Sequence, residues 1–112
     1  MQRVTAVIRL EKIEELRMAL EKKGYPGMMI KRIEGHGRQK GLKQLYRGRE
    51  YTIDLLPKFK IEIVVKDEDV DQIIQTIMEA ARTGQTGDGK IFVSPVSHVY
   101  RIRTGEMDAA AI

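Results

Sequence analysis

The chain contains no cysteine, no tryptophan, two phenylalanines and three prolines in 112 residues. Without cysteine there is no disulfide framework and no thiolate-ligated zinc, so the small-secreted-domain class is excluded and a reducing compartment fits. No long apolar run occurs. From Met1 through Val4 and Ile8 the apolar stretch is cut by Arg9, Glu11 and Lys12, too early for a signal peptide or a membrane span, and a soluble, cytoplasmic protein is expected. Charge of one sign is not segregated either. The 20 basic residues are interspersed with 16 acidic ones, so the net charge of +4 forms no basic block of the kind nucleic-acid binders carry.

The apolar share is 42% and the charged share 32%, which is globular rather than disordered. The length fits one domain, residues 1–112, with a core small enough that burial between copies would help it. Val4, Ala6 and Ile8 alternate with Thr5, Val7 and Arg9, the period of a strand ending near Arg9. Ile13, Leu16 and Leu20 then fall on one helical stripe, closed by Gly24-Tyr25-Pro26-Gly27. A second strand runs through Met28, Ile30 and Ile33. Residues 35–55 carry four glycines among five basic residues with no sustained period, which predicts a long, mobile loop. Such loops are uncommon inside compact domains and are usually functional.

After Pro57, the residues Phe59, Ile61, Ile63 and Val65 alternate with Lys60, Glu62 and Val64 as a third strand. Asp67-Glu68-Asp69 places carboxylates at a helix start, followed by a stripe of Val70, Ile73, Ile74, Ile77, Met78 and Ala81. A last strand is expected from Ile91 past Pro95 to Arg103. Scattered methionines, Met18 and Met78 among them, read as packing residues. The order β-α-β-β-α-β predicts an α+β, ferredoxin-like sandwich.

Gly87-Asp88-Gly89-Lys90 sits between a helix and a strand, where glycines admit an anion to backbone amides and lysine adds a charge. No Ser or Thr follows the lysine, so it is not a Walker A loop, and by itself it also reads as an ordinary turn. Arg101 and Arg103, two apart on the expected last strand, would share a side and suit polyphosphate, or equally be a solvated edge. Lys58 could answer a carboxylate, and Gln39 offers an oxygen to a hard cation. His36 and His98 are isolated and receive no role.

Several blocks together resemble the PII signalling proteins. They are Thr83 followed by Gly87-Asp88-Gly89-Lys90-Ile91-Phe92-Val93, Gly35-His36-Gly37-Arg38-Gln39-Lys40-Gly41, Leu45-Tyr46-Arg47-Gly48, Lys58-Phe59-Lys60-Ile61-Glu62 and Arg101-Ile102-Arg103-Thr104-Gly105-Glu106. The resemblance spans essentially the whole chain and implies a homotrimer with ATP or ADP in the clefts between subunits. It implies that Gly87, Asp88, Gly89 and Lys90 hold the phosphates with Arg101 and Arg103 from across the cleft, and that Gly35, Gly37, Arg38 and Val64 lie near the nucleotide. It further implies 2-oxoglutarate binding with magnesium and ATP, Gln39 joining the metal and Lys58 the distal carboxylate. The flexible loop, about 37–55, would grip an ammonium transporter or enzymes of nitrogen metabolism, with Arg47 at its tip and recruitment to the membrane. Arg49 stands where the family's modification motif has Ala or Ser, so Tyr51 reads either as a modified residue or as a partner contact. Met29 replaces a threonine common near the adenine. The rival reading is an RRM-like RNA-binding module, opposed by the lack of a Lys/Arg-Gly-Phe/Tyr stacking pattern. An enzyme reading, slow ATP hydrolysis, lacks a base placed by sequence.

Overall fold

The computed structural model describes residues 1–35, 42–46, 49–53 and 56–112. Strands β1 (Gln2–Arg9), β2 (Met29–Gly35), β5 (Leu56–Val65) and β6 (Lys90–Pro95) form one antiparallel sheet in the order β2-β5-β1-β6. Helices α1 (Ile13–Lys22) and α2 (Val70–Ala81) follow β1 and β5. This is the expected ferredoxin-like arrangement, an α+β fold. No helix among the described residues is long and apolar enough to cross a membrane.

Alternation decides which sheet face is covered. Val4, Ala6 and Ile8 of β1 and Ile61, Ile63 and Val65 of β5 are buried and meet Leu16 and Leu20 of α1 and Ile73, Ile77, Ala80 and Ala81 of α2. Fully burying a Val, Leu or Ile side chain contributes about 1.5–3 kcal/mol, and nine of these dozen residues are of that kind, so they carry the fold. Thr5, Val7, Lys60, Glu62 and Val64 point to the opposite, open face and are only half-buried. Helix α1 ends as its glycine predicts. The Tyr25 amide donates to the Leu20 carbonyl at 2.9 Å and the Gly24 amide to Glu21 at 3.0 Å, with Gly24 at φ 93°, a Schellman closure.

Three expectations change. The last strand stops at Pro95, which pairs with Gln2; the Val96 amide still donates to the Met1 carbonyl at 3.1 Å, and the ladder goes no further. Beyond it only Tyr100 and Met107 form an isolated bridge, so Arg101 and Arg103 do not share a strand face. Asp67–Asp69 is a 3-10 turn ahead of α2 and supplies no side-chain cap; Asp67 instead pairs with the Met1 amine at 2.9 Å. Met18 and Met78 are 61% and 43% exposed, since the 3.6-residue period turns both outward from the helix pair. The long segment expected as a loop carries β3 (Leu42–Tyr46) and β4 (Arg49–Ile53), which pair as a separate two-stranded ladder, Leu42 opposite Ile53 and Tyr46 opposite Arg49. Leu, Tyr, Thr and Ile in these stretches suit a ladder.

Candidate nucleotide and anion site

Residues 83–90 connect α2 to β6, and the local sequence explains their shape. Gly84, Gly87 and Gly89 take φ values of 89°, 105° and 99°, a region closed to most side chains. Gly89 is tightly constrained, because a Cβ there would lie 1.7 Å from the Val7 carbonyl oxygen. The turn therefore packs its backbone directly on β1.

Asp88 organises this turn from within. Its Oδ2 accepts from the Thr83 and Gly84 amides, each at 2.8 Å, and its Oδ1 accepts a short bond from the Thr83 hydroxyl. Arg9, at the end of β1, donates from Nε to Asp88 Oδ1 at 3.0 Å and from Nη2 to the Thr86 carbonyl at 2.8 Å. The Thr83 hydroxyl, then the Thr83 amide, Arg9 and the Gly84 amide hold the Asp88 carboxyl far below the usual carboxylate range, outweighing the opposite effect of desolvation. Asp88 is ionised at any physiological pH.

Lys58 supplies the second tie. It stands on β5 directly opposite Arg9, is buried, and donates from Nζ to the Gly87 carbonyl at 2.7 Å. Like charges opposite one another on neighbouring strands repel. Here each cation faces oxygen atoms of the turn, which offsets that repulsion. Burial first, and Arg9 second, push the Lys58 amine below its ordinary value, while Glu11 and Asp88 act against them. Gly35, at the end of β2, lies beside the same lysine, with its Cβ position 3.5 Å from Lys58 Cγ. Lys90 opens β6 opposite Val7 and is exposed.

Gly35, Lys58, Gly87, Asp88, Gly89 and Lys90 are thus brought to one end of the sheet. Val64 is not. It pairs with Arg3, four residues along β5 from the row of Lys60, Val7 and Lys90, roughly 13 Å away at strand spacing. There it borders a pocket of about 540 Å³ whose walls include Gly27, Met29, Val99 and Ile112.

Arg101 and Arg103 also stand apart from the cradle. The Arg101 guanidinium meets Glu106 Oε1 at 2.9 Å, its amide donates to the Glu106 carbonyl at 2.8 Å, and the Gly105 amide donates back to the Arg101 carbonyl at 2.8 Å. Thr104 adds a hydroxyl bond to the same Glu106 carboxylate at 2.7 Å. Arg103 and Ile102 are exposed on this turn. Gly37, Arg38, Gln39, Arg47 and His36 lie outside the described residues, and Tyr51 is described only as a member of β4, opposite Gln44. His98 Nδ1 lies 3.4 Å from Asp108 Oδ1, and no metal-binding group of His, Asp and Glu occurs among the described residues.

Arg9 and Thr86 are the residues that sequence reasoning missed. A signal existed for Arg9: it continues the open-face alternation of Thr5 and Val7 with a charge at the strand end. Of the two phenylalanines, Phe59 packs toward the core and Phe92 stands exposed, so they do not form a paired stacking platform of the RRM kind.

Comparison with known proteins supplies the family. The family model described as nitrogen regulatory protein P-II matches residues 1–106. The chain is 55% identical over 112 residues to nitrogen regulatory protein P-II 2 of Methanothermobacter thermautotrophicus, covering 100% of this chain and 97% of that one. It is 53% identical to nitrogen regulatory protein P-II 1 of Escherichia coli and 51% identical to the P-II protein of Microchaete diplosiphon, with complete coverage, 100%, of both chains in each case. A ferredoxin-like sheet carrying a glycine turn tied down by Asp88, and relatives this similar along their whole length, leave one assignment: the chain belongs to the nitrogen regulatory protein P-II family.

Proposed function

We propose that this protein reports nitrogen, carbon and energy status by binding ATP or ADP at the 83–90 turn, in clefts between three copies of the chain. The observation that carries this reading is the turn itself, in which the left-handed glycines Gly87 and Gly89 and the exposed Lys90 gather at one end of the sheet. The donor set fits phosphate: Gly87, Asp88, Gly89 and Lys90 would form the cradle, with Gly35, Gly37, Arg38 and Val64 near the nucleotide. Arg101 and Arg103 would reach the phosphates of a neighbouring copy's cleft. A homotrimer is supported by the apolar surface a single chain leaves uncovered, including Phe92 at 54%, Tyr100 at 61% and Ile102 at 102% exposure.

With ATP and magnesium bound, 2-oxoglutarate would join through Gln39 on the metal and Lys58 on the distal carboxylate. Lys58 suits that task, since it is a buried amine beside the phosphate turn. The two ligands then form a linked equilibrium whose output is the 37–55 segment, docking through Arg47 and Tyr51 on an ammonium transporter or nitrogen-metabolism enzymes. The protein would work in the cytoplasm and be recruited to the membrane by that transporter. This is a regulator and not an enzyme. Asp88, the sole carboxylate of residues 83–90, is spent on the turn's own donors and too acidic to serve as a general base.

Calorimetry tests the reading. ATP binds, 2-oxoglutarate binds only with ATP and magnesium present, and Lys58→Met abolishes the second heat while ATP binding, weakened by the lost tie to Gly87, remains measurable. Binding of 2-oxoglutarate to the nucleotide-free protein would sink the coupled scheme.

A further inference from the structure

A carboxylate at the centre of an anion cradle needs an explanation, because a free negative charge there would repel phosphate. Asp88 is not free. Its two oxygens take the Thr83 amide, the Thr83 hydroxyl, the Gly84 amide and Arg9 Nε, which fills most of a carboxylate's acceptor capacity. Arg9 divides its fork between that carboxylate and the Thr86 carbonyl at 2.8 Å, so one guanidinium grips the turn at two points two residues apart. The Arg9 and Asp88 side chains retain only 12% and 24% of their exposure, which makes the pair part of the turn's foundation and not a surface ion pair.

We propose that Arg9 and Asp88 act together as positioning residues for the phosphate cradle, fixing the backbone of residues 83–89 so that the amides not spent within the turn, and Lys90, are set before any anion arrives. The inference rests on the nucleotide-binding reading above and adds how that site is held ready. Preorganisation matters here because a glycine-rich turn loses much conformational entropy when ordered, and a ligand that must order it binds more weakly. The fork of arginine is required. A lysine at position 9 keeps the charge but cannot hold Asp88 and the Thr86 carbonyl at once.

The two roles open to Asp88 give opposite signs. If it acts only as a charge near the phosphates, Asp88→Asn removes a repulsion and ATP binds more tightly. If it positions the turn, Asp88→Asn weakens ATP binding, by roughly tenfold for the loss of one charge-assisted contact of about 1.4 kcal/mol. Arg9→Met has the same effect, and the double variant is no worse than either single one, because both remove the same contact. Calorimetric titration of each full-length variant with ATP, alongside thermal melting, reads this directly. Tighter binding by Asp88→Asn, additive losses in the double variant, or wild-type affinity in Arg9→Met would overturn the proposal while leaving the nucleotide site intact. Should Asp88→Asn fail to fold, Arg9→Lys decides: positioning makes it as weak as Arg9→Met, whereas a purely electrostatic role leaves it at wild-type affinity. A wild-type protein that binds no ATP overturns both this proposal and the reading beneath it.

Discussion

Two short turns in this molecule, residues 83–90 and 101–106, both pair glycine with an arginine–carboxylate contact, yet they are built in opposite ways. The first is tied to the sheet from outside, by Arg9 from β1, Lys58 from β5 and the close approach of Gly89 to Val7. Among the described residues the second is tied only to itself, Arg101 to Glu106 and Gly105 to Arg101, and it leaves Ile102 and Arg103 exposed. Similar motifs therefore do different jobs according to what lies underneath. A turn docked on its own sheet has its backbone fixed from below. A self-contained turn leaves its apolar and basic side chains exposed.

The strongest way to break this contrast is to fill the two glycines. Gly89→Ala forces a Cβ into the Val7 carbonyl at an unfavourable φ of 99°, and should cost about 3 kcal/mol or more in denaturant unfolding. Gly105→Ala meets nothing within 4 Å and bears only the cost of its positive φ of 74°, about 1 kcal/mol. Equal losses would show that the first turn is not docked as described. Ile102→Ser comes next. It should leave the single-chain core untouched but weaken self-association by about 1.5–3 kcal/mol per buried side chain, visible as smaller species in sedimentation. An unchanged oligomer would remove Ile102 from the interface.

Lys90→Ala and Arg103→Ala should each weaken ATP binding about tenfold. Refolded together, the two variants should regain a minority of tight sites, since a cleft can then combine an intact Lys90 from one copy with an intact Arg103 from the next. No recovery would place both residues in the same chain's site. The smallest effect is an expected constancy. The folded-state pKa of Asp88 is depressed, so the stability it contributes is fully present above the unfolded carboxylate value of about 3.9 and is lost only as pH falls through the lower folded value. Amide resonances of Thr83 and Gly84 should therefore hold still from pH 9 to pH 5 and move only in strong acid. A transition near neutrality would show that another group holds the turn.

Much of the fold was legible because period alone reports burial. The alternation in β1 and β5 and the stripes through Leu16, Leu20, Ile73 and Ile77 named the core, and Gly24 named the end of α1. The reading failed where the answer depended on a partner strand. Val99 to Arg103 is rich enough in strand formers to suggest β6 should continue, but the ladder with β1 ends at Pro95 and Tyr100 bridges to Met107 instead. Met18 and Met78 look like packing residues by type, and only their rotation about the helices places them outside.

For the candidate site, Gly87 through Lys90 was legible as a block, because glycine spacing is a local signal. Arg9 was not, since its partners Thr86 and Asp88 lie 77 and 79 residues away.

By itself the sequence determined the order of elements, the buried face of each and the family, because these follow from local periodicity and from residues read in line. The tertiary structure alone decided that Lys58 and Arg9 stand side by side beneath the turn, and that Asp88 serves the protein's own backbone. It also decided that Arg101 and Arg103 do not share a strand face. The physical reason is the same in each case: hydrogen-bond register between strands distant in sequence fixes which charges meet, and no local pattern encodes that register.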